Sequence, residues 1–67
     1  MPDRPFLTTK QAAYRLGLSQ ATLERMRVRG DGPPFMAISV RRIIYDIDVL
    51  DAWARSRTFR STSEYAA

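Results

Sequence analysis

The chain contains no cysteine and no histidine. The first absence excludes disulfides and thiolate metal sites. The second removes imidazole ligands and the one side chain whose ordinary pKa lets it exchange protons near neutral pH. Most enzyme mechanisms thereby lose their usual parts, so neither catalysis, a cofactor, a metal nor a small-molecule ligand is expected. Apolar runs are short as well: nothing approaches the roughly 20 residues of a membrane-spanning helix, and Met1 to Pro5 lacks the apolar core of a signal peptide. A cytoplasmic protein without membrane contact is the expectation, and the lack of cysteine fits it. Length is limited too: at 67 residues a chain buries about 60% of its unfolded surface, which predicts one domain of modest stability.

Glycine is equally scarce, and two of the three glycines punctuate the most informative stretch, Thr8 to Arg29. Thr8 with Gln11 makes a capping box for a first helix. Ala13 supplies a small contact residue and Gly17 a positive-φ corner. Ser19 caps a second helix, with Leu18 and Leu23 placed for a hydrophobic staple, and Gly30 ends it. Leu23 and Met26 then turn an inner face back onto Ala12, Ala13 and Leu16, forming one small buried wedge. An ordinary helical hairpin would share this layout. The polar face of the second helix argues otherwise, because it shows Gln20, Arg25 and Arg29, with Glu24 as its only acid.

Gly30-Asp31-Gly32-Pro33-Pro34 is the strongest breaker in the chain. Phe35 to Ser39 and Arg42 to Tyr45 are short apolar, β-branched runs around a tip at Val40 and Arg41, so they predict a hairpin. The tip lacks Asn-Gly or Asp-Gly, which leaves its register open. Asp46 predicts the N-cap of a third helix, with Asp48 in the first turn and Ile47, Leu50, Trp53 and Ala54 facing inward. Trp53 could stack on a base, but its place on a leucine-containing stripe assigns it to the core. The expected organisation is an extended lead-in at residues 1–6, with Phe6 or Leu7 docking on the core, a domain over residues 7–56, and a flexible polar tail over residues 57–67. In the tail, Arg57 and Arg60 either touch phosphate or are simply solvated.

The net charge is +4, but its distribution says more. Between Arg4 and Arg42 there are 8 basic and 2 acidic residues, whereas Ile43 to Ala54 holds no base and 3 acids, Asp46, Asp48 and Asp51. One side of the domain is therefore expected to face phosphate.

Taken together, Leu7-Thr8-Thr9-Lys10-Gln11-Ala12-Ala13, Leu16-Gly17-Leu18-Ser19, Gly32-Pro33-Pro34-Phe35, and Tyr45 followed by Leu50-Asp51-Ala52-Trp53 resemble the small winged helix-turn-helix domains of the excisionase and AlpA-like family, relatives of the MerR DNA-binding domain. The resemblance covers about Leu7 to Ser56. It implies a mostly α fold with a small β-hairpin wing, in which the second helix enters the major groove and the wing lies along the neighbouring backbone or minor groove. Carried onto this chain, it assigns DNA contact to Ser19, Gln20, Ala21, Thr22, Arg25 and Arg29 on the recognition helix. Val40, Arg41 and Arg42 take the wing contacts, and Thr9 and Lys10 take the backbone contacts at the start of the first helix. Many relatives have glycine at the wing tip; this chain has Ser39-Val40-Arg41-Arg42 there. Glu24 either accepts a hydrogen bond from cytosine N4 or points to solvent or to a neighbouring arginine, and the latter is expected.

The function implied is that of an excisionase, a recombination directionality factor in the bacterial cytoplasm. Such a protein binds and bends double-stranded DNA beside an integrase attachment site, associates cooperatively with itself on DNA, and works with a phage-type or element-encoded integrase. An AlpA-like transcriptional regulator would carry nearly the same residues. A phage-packaging module is a third reading, and a protein-interaction module, with the arginines meeting an acidic protein surface, belongs to a different class.

Overall fold

The computed structural model describes residues 6–66. Chain order is β1 (Phe6–Thr8), α1 (Thr9–Leu16), α2 (Gln20–Arg29), β2 (Met36–Ser39), β3 (Arg42–Asp46), α3 (Ile47–Ser56) and α4 (Thr62–Ala66). This is a winged helix-turn-helix. Each of the first three helices starts where a side chain can satisfy the orphan amides of its first turn. The Thr8 hydroxyl accepts from the Gln11 amide at 3.1 Å while the Gln11 side chain accepts from the Thr8 amide at 2.9 Å. Ser19 accepts from the Thr22 amide at 3.1 Å. Asp46 accepts from the amides of Asp48 and Val49 at 2.9 and 3.1 Å.

The corner between α1 and α2 is left-handed, with Gly17 at φ 74° and ψ 24°. Its amide and that of Leu18 bond back to Tyr14 and Ala13, closing the end of α1. Gly30 ends α2 in the same way at φ 84°. Gly32 has a different reason to be small: a Cβ there would stand 3.0 Å from the Met26 Cβ, so the chain doubles back tightly over the end of α2.

The core is Ala12, Ala13, Leu23, Tyr45 and Leu50, with Leu7, Leu16, Leu18 and Ile43 half-buried around it. Leu18 and Leu23, the residues of the expected staple, both belong to this cluster. Met26, expected inside with Leu23, is only half-buried, because it sits under the Gly32 turn at the end of α2. Trp53 is likewise half-buried rather than core. Its ring is covered by the Arg57 guanidinium, 5.2 Å from the centroid, an arrangement that stabilises a cation on an indole face.

The sheet has three strands, in the order β1-β3-β2, all antiparallel. The sequence shows only the hairpin. The third strand comes from the supposed lead-in: Phe6, Leu7 and Thr8 pair with Asp46, Tyr45 and Ile44. Leu7 thereby shares a face with Tyr45 and docks on the core, while Phe6 remains 43% exposed. The rest of the expected lead-in, residues 1–5, lies outside the described residues. The open register of the hairpin resolves as a bulge. Met36 pairs with Ile44, Ala37 with Ile43 and Ser39 with Arg42, leaving Ile38 as the extra residue. Neither Val40 nor Arg41 has positive φ, so the tip cannot form the two-residue primed turn that matches strand twist, and the bulge accommodates the difference.

Where a flexible polar tail is expected after residue 56, the structure places a short helix, α4. Glu64 folds back there to accept from the Arg60 amide at 2.9 Å. Across the other side, α1 and α3 are tied by a two-pronged ion pair: Arg15 Nε and Nη2 each donate to an Asp51 oxygen at 2.8 Å. The guanidinium holds the Asp51 carboxyl below the usual carboxylate range, chiefly through these hydrogen bonds, and the carboxylate raises Arg15 in turn.

Candidate nucleic-acid interface

The fold brings the sequence-predicted residues to the two flanks of α2. On one flank, a cleft runs between the start of α1, the start of α2 and the wing. Thr9, Lys10, Gln20 and Glu24 line it from the helices, and Val40, Arg41 and Arg42 from the wing. Four cationic residues, Lys10, Arg27, Arg41 and Arg42, are thus gathered from positions up to 32 apart in the chain. Val40 stands 97% exposed at the tip. An apolar residue in that position carries no packing role within the chain.

On the other flank, Ala21, Arg25 and Arg29 face outward around a shallow depression that Glu24 and Val28 complete. Arg25 is exposed, and one of its nitrogens donates to the Thr22 hydroxyl at 3.2 Å. Arg29 pairs loosely with Asp31 at 3.3 Å and stays 62% exposed. Between the flanks, Ser19 and Thr22 are engaged with each other: their hydroxyls lie 2.8 Å apart, and Thr22 is half-buried.

Glu24 departs from expectation. It is half-buried rather than directed to solvent, and its carboxylate accepts from the Gln20 side-chain amide at 3.2 Å, not from an arginine. The reason is local: residues four apart on a helix are neighbours, and Gln20 is closer than any cation across the cleft. The Gln20 amide is therefore held along the helix axis in the free protein.

Arg27 was not among the residues the sequence singles out, yet it fixes the geometry of the cleft. One of its nitrogens donates to the Thr9 hydroxyl at 3.3 Å and to the Tyr45 hydroxyl at 3.1 Å. The guanidinium also lies 5.7 Å from the Phe35 ring centroid. Phe35 in turn packs on Tyr45 at 6.3 Å in a tilted arrangement. This one side chain therefore bridges α2, the first residue of α1, the loop after α2 and the central strand. Its position four residues after Leu23 puts it on the inner stripe of α2, which was the available signal. It also bears on what Thr9 can do: one lone pair of its hydroxyl is taken by Arg27, and its proton is the part that a phosphate oxygen would accept.

The charge asymmetry of the sequence is reproduced only in part. Arg15 is drawn to Asp51 on the α3 side and Arg27 turns inward, so between β1 and the end of the wing the outward basic surface rests on Lys10, Arg25, Arg29, Arg41 and Arg42. Arg57 and Arg60 also have partners within the chain, Trp53 and Glu64. Among the described residues, no helix is long and apolar enough to cross a membrane. A family model described as a helix-turn-helix domain matches residues 6–58. No curated protein matches the chain.

Proposed function

This chain belongs to the helix-turn-helix domain family, and we propose that it binds double-stranded DNA sequence-specifically, as an excisionase that directs recombination. On this reading α2 enters the major groove, the wing tip clamps the adjacent backbone, and Lys10 and Thr9 meet phosphate at the start of α1. The observation that carries it is the placement of Arg41 and Arg42 opposite Lys10 and Gln20 across one cleft, so that helix and wing together offer a surface on which cations outnumber its one acid, Glu24. The protein carries out no chemistry on DNA. It acts in the cytoplasm by positioning and bending the duplex beside an attachment site, with a phage-type or element-encoded integrase as the catalytic partner. The resemblance of the Leu7 to Ser56 motifs to excisionases supports that role.

Footprinting across the attachment sites of the surrounding genetic element and across its promoters tests the assignment. Protection beside an attachment site is the expected result; protection confined to promoters reassigns the protein as an AlpA-like transcriptional regulator. Titration with random duplex DNA at two salt concentrations separates both from a protein-interaction module. A DNA binder releases counterions and weakens steeply with salt, whereas a protein binder shows almost no duplex affinity.

A further inference from the structure

The outward flank of α2 presents a stripe that the charge argument does not absorb. Ala21, Arg25 and Val28 stand at i, i+4 and i+7, which is one face of a helix. Val28 is 86% exposed and lines the same depression as Ala21 and Arg25. Valine is a poor choice for an uncovered helix position, since its branched side chain loses rotamer freedom there and gains no burial. The opposite side of the helix is already filled by Leu23, so Val28 has no inward role.

Resting on the DNA-binding reading, we propose that this stripe reads thymine methyl groups on either side of a base pair engaged by Arg25. In the major groove the thymine C5-methyl is the one apolar feature that a base edge presents, and small apolar side chains contact it. The arginine between them matches the O6 and N7 acceptors of guanine. The two cations of the depression suit a polyanionic duplex, Arg25 at a base edge and Arg29 toward phosphate, and argue against an apolar protein surface as the occupant. Glu24, the one acid at the rim, is held by the Gln20 amide at 3.2 Å. The spacing also fits: seven residues of helix advance about 10.5 Å, close to three base-pair steps of about 3.4 Å. The target therefore contains 5-methylpyrimidines about three base pairs apart, with a guanine between them.

The experiment starts from duplexes selected by the protein out of a random library. Each thymine is then replaced by uracil, which removes only the methyl group. Affinity is expected to fall about fourfold at each of two positions, the value of one buried methyl group. Val28→Ala should weaken binding to the thymine duplex about fourfold and abolish the sensitivity to uracil at one of the two positions, while melting as the parent does. Replacing cytosine by 5-methylcytosine at an unfavourable site should restore part of the affinity. Salt-dependent duplex binding with no response to uracil at any position overturns the methyl reading and leaves the DNA-binding reading intact. Absence of salt-dependent binding overturns both. A change in self-association of the free protein on Val28→Ala, with uracil sensitivity unaltered, assigns the stripe to a contact between copies and overturns the proposal.

Discussion

At the scale of the residue, Arg27 shows how a charged side chain can be part of a small core without being buried as a bare charge. Its stem runs along α2, and its head is shared among two hydroxyls and an aromatic face. Tyr45 is fully buried, and Arg27 is the hydrogen-bond partner of its hydroxyl. Arg27→Ala should therefore leave that hydroxyl unsatisfied, at about 1–3 kcal/mol, a loss that urea denaturation would register as a lower midpoint at unchanged slope. Tyr45→Phe in the Arg27→Ala background should recover part of it, because the orphaned group is then gone. The sequence made Leu23 legible as core by its spacing. It did not make Arg27 legible, because an arginine at an inner helical position reads as a member of a basic face until the tyrosine it meets, 18 positions away, is known to be buried. Gln20 and Glu24 were hidden for a related reason: each reads as a free polar group, and only their i,i+4 contact shows that each occupies the other.

At the scale of the element, helices announced themselves through their caps, and strands did so only in part. Thr8, Ser19, Asp46, Gly17 and Gly30 each stand at a chain boundary with a local hydrogen-bonding or φ requirement, and such requirements are written in a few neighbouring residues. β1 has no such signature: three residues carry no alternation, and their strand state comes from pairing with β3, some 38 positions on. The corner at Gly17 gives a clean test. A Cβ there would meet nothing within 4 Å, so the penalty in Gly17→Ala is one of left-handed backbone alone, and Gly17→Val adds the constraint of a β-branched side chain at positive φ. The expected loss is about 1–3 kcal/mol, with Gly17→Ala at the lower end, read from thermal melts.

The tie between α1 and α3 makes a second test, on pH. Because Arg15 holds the Asp51 carboxyl below its unfolded value, the ion pair contributes stability above the ordinary carboxylate range and loses it as pH falls through the depressed pKa. Asp51→Asn should melt a few degrees lower at neutral pH, with the gap to the parent closing in strong acid. The pair is partly exposed, 46% and 23% for its two side chains, so high salt should narrow the gap as well. The wing is tested by its charge: on the proposed binding mode, Arg41→Ala and Arg42→Ala weaken all sequences alike and each lower the slope of log affinity against log salt by about one unit. An unchanged slope in the double variant would place the wing away from the phosphates.

At the scale of the whole molecule, dimensions limit what one copy can do. The long axis is 41 Å; on the proposed binding mode a single domain then spans at most about 12 base pairs at about 3.4 Å each, of which α2 reads only a few. Selectivity in a genome then calls for several copies side by side. The free protein is expected to sediment as a monomer and to fill tandem sites cooperatively in gel shifts; a tight dimer in solution, or tandem sites that fill independently, would remove this picture.

The way Arg27 joins α2 to Tyr45 has a mechanical consequence. Tyr45 belongs to β3, and β3 is also the inner strand of the wing, so the helix and the wing are fastened to the same rail. On the proposed binding mode, the separation of these two prongs is set within the protein by that tie. A molecule built this way works as a caliper. On the proposed binding mode it would accept DNA whose groove already has the matching width, or whose base steps yield cheaply to it, and the stiffness of base pairs that no side chain touches would become part of what is recognised.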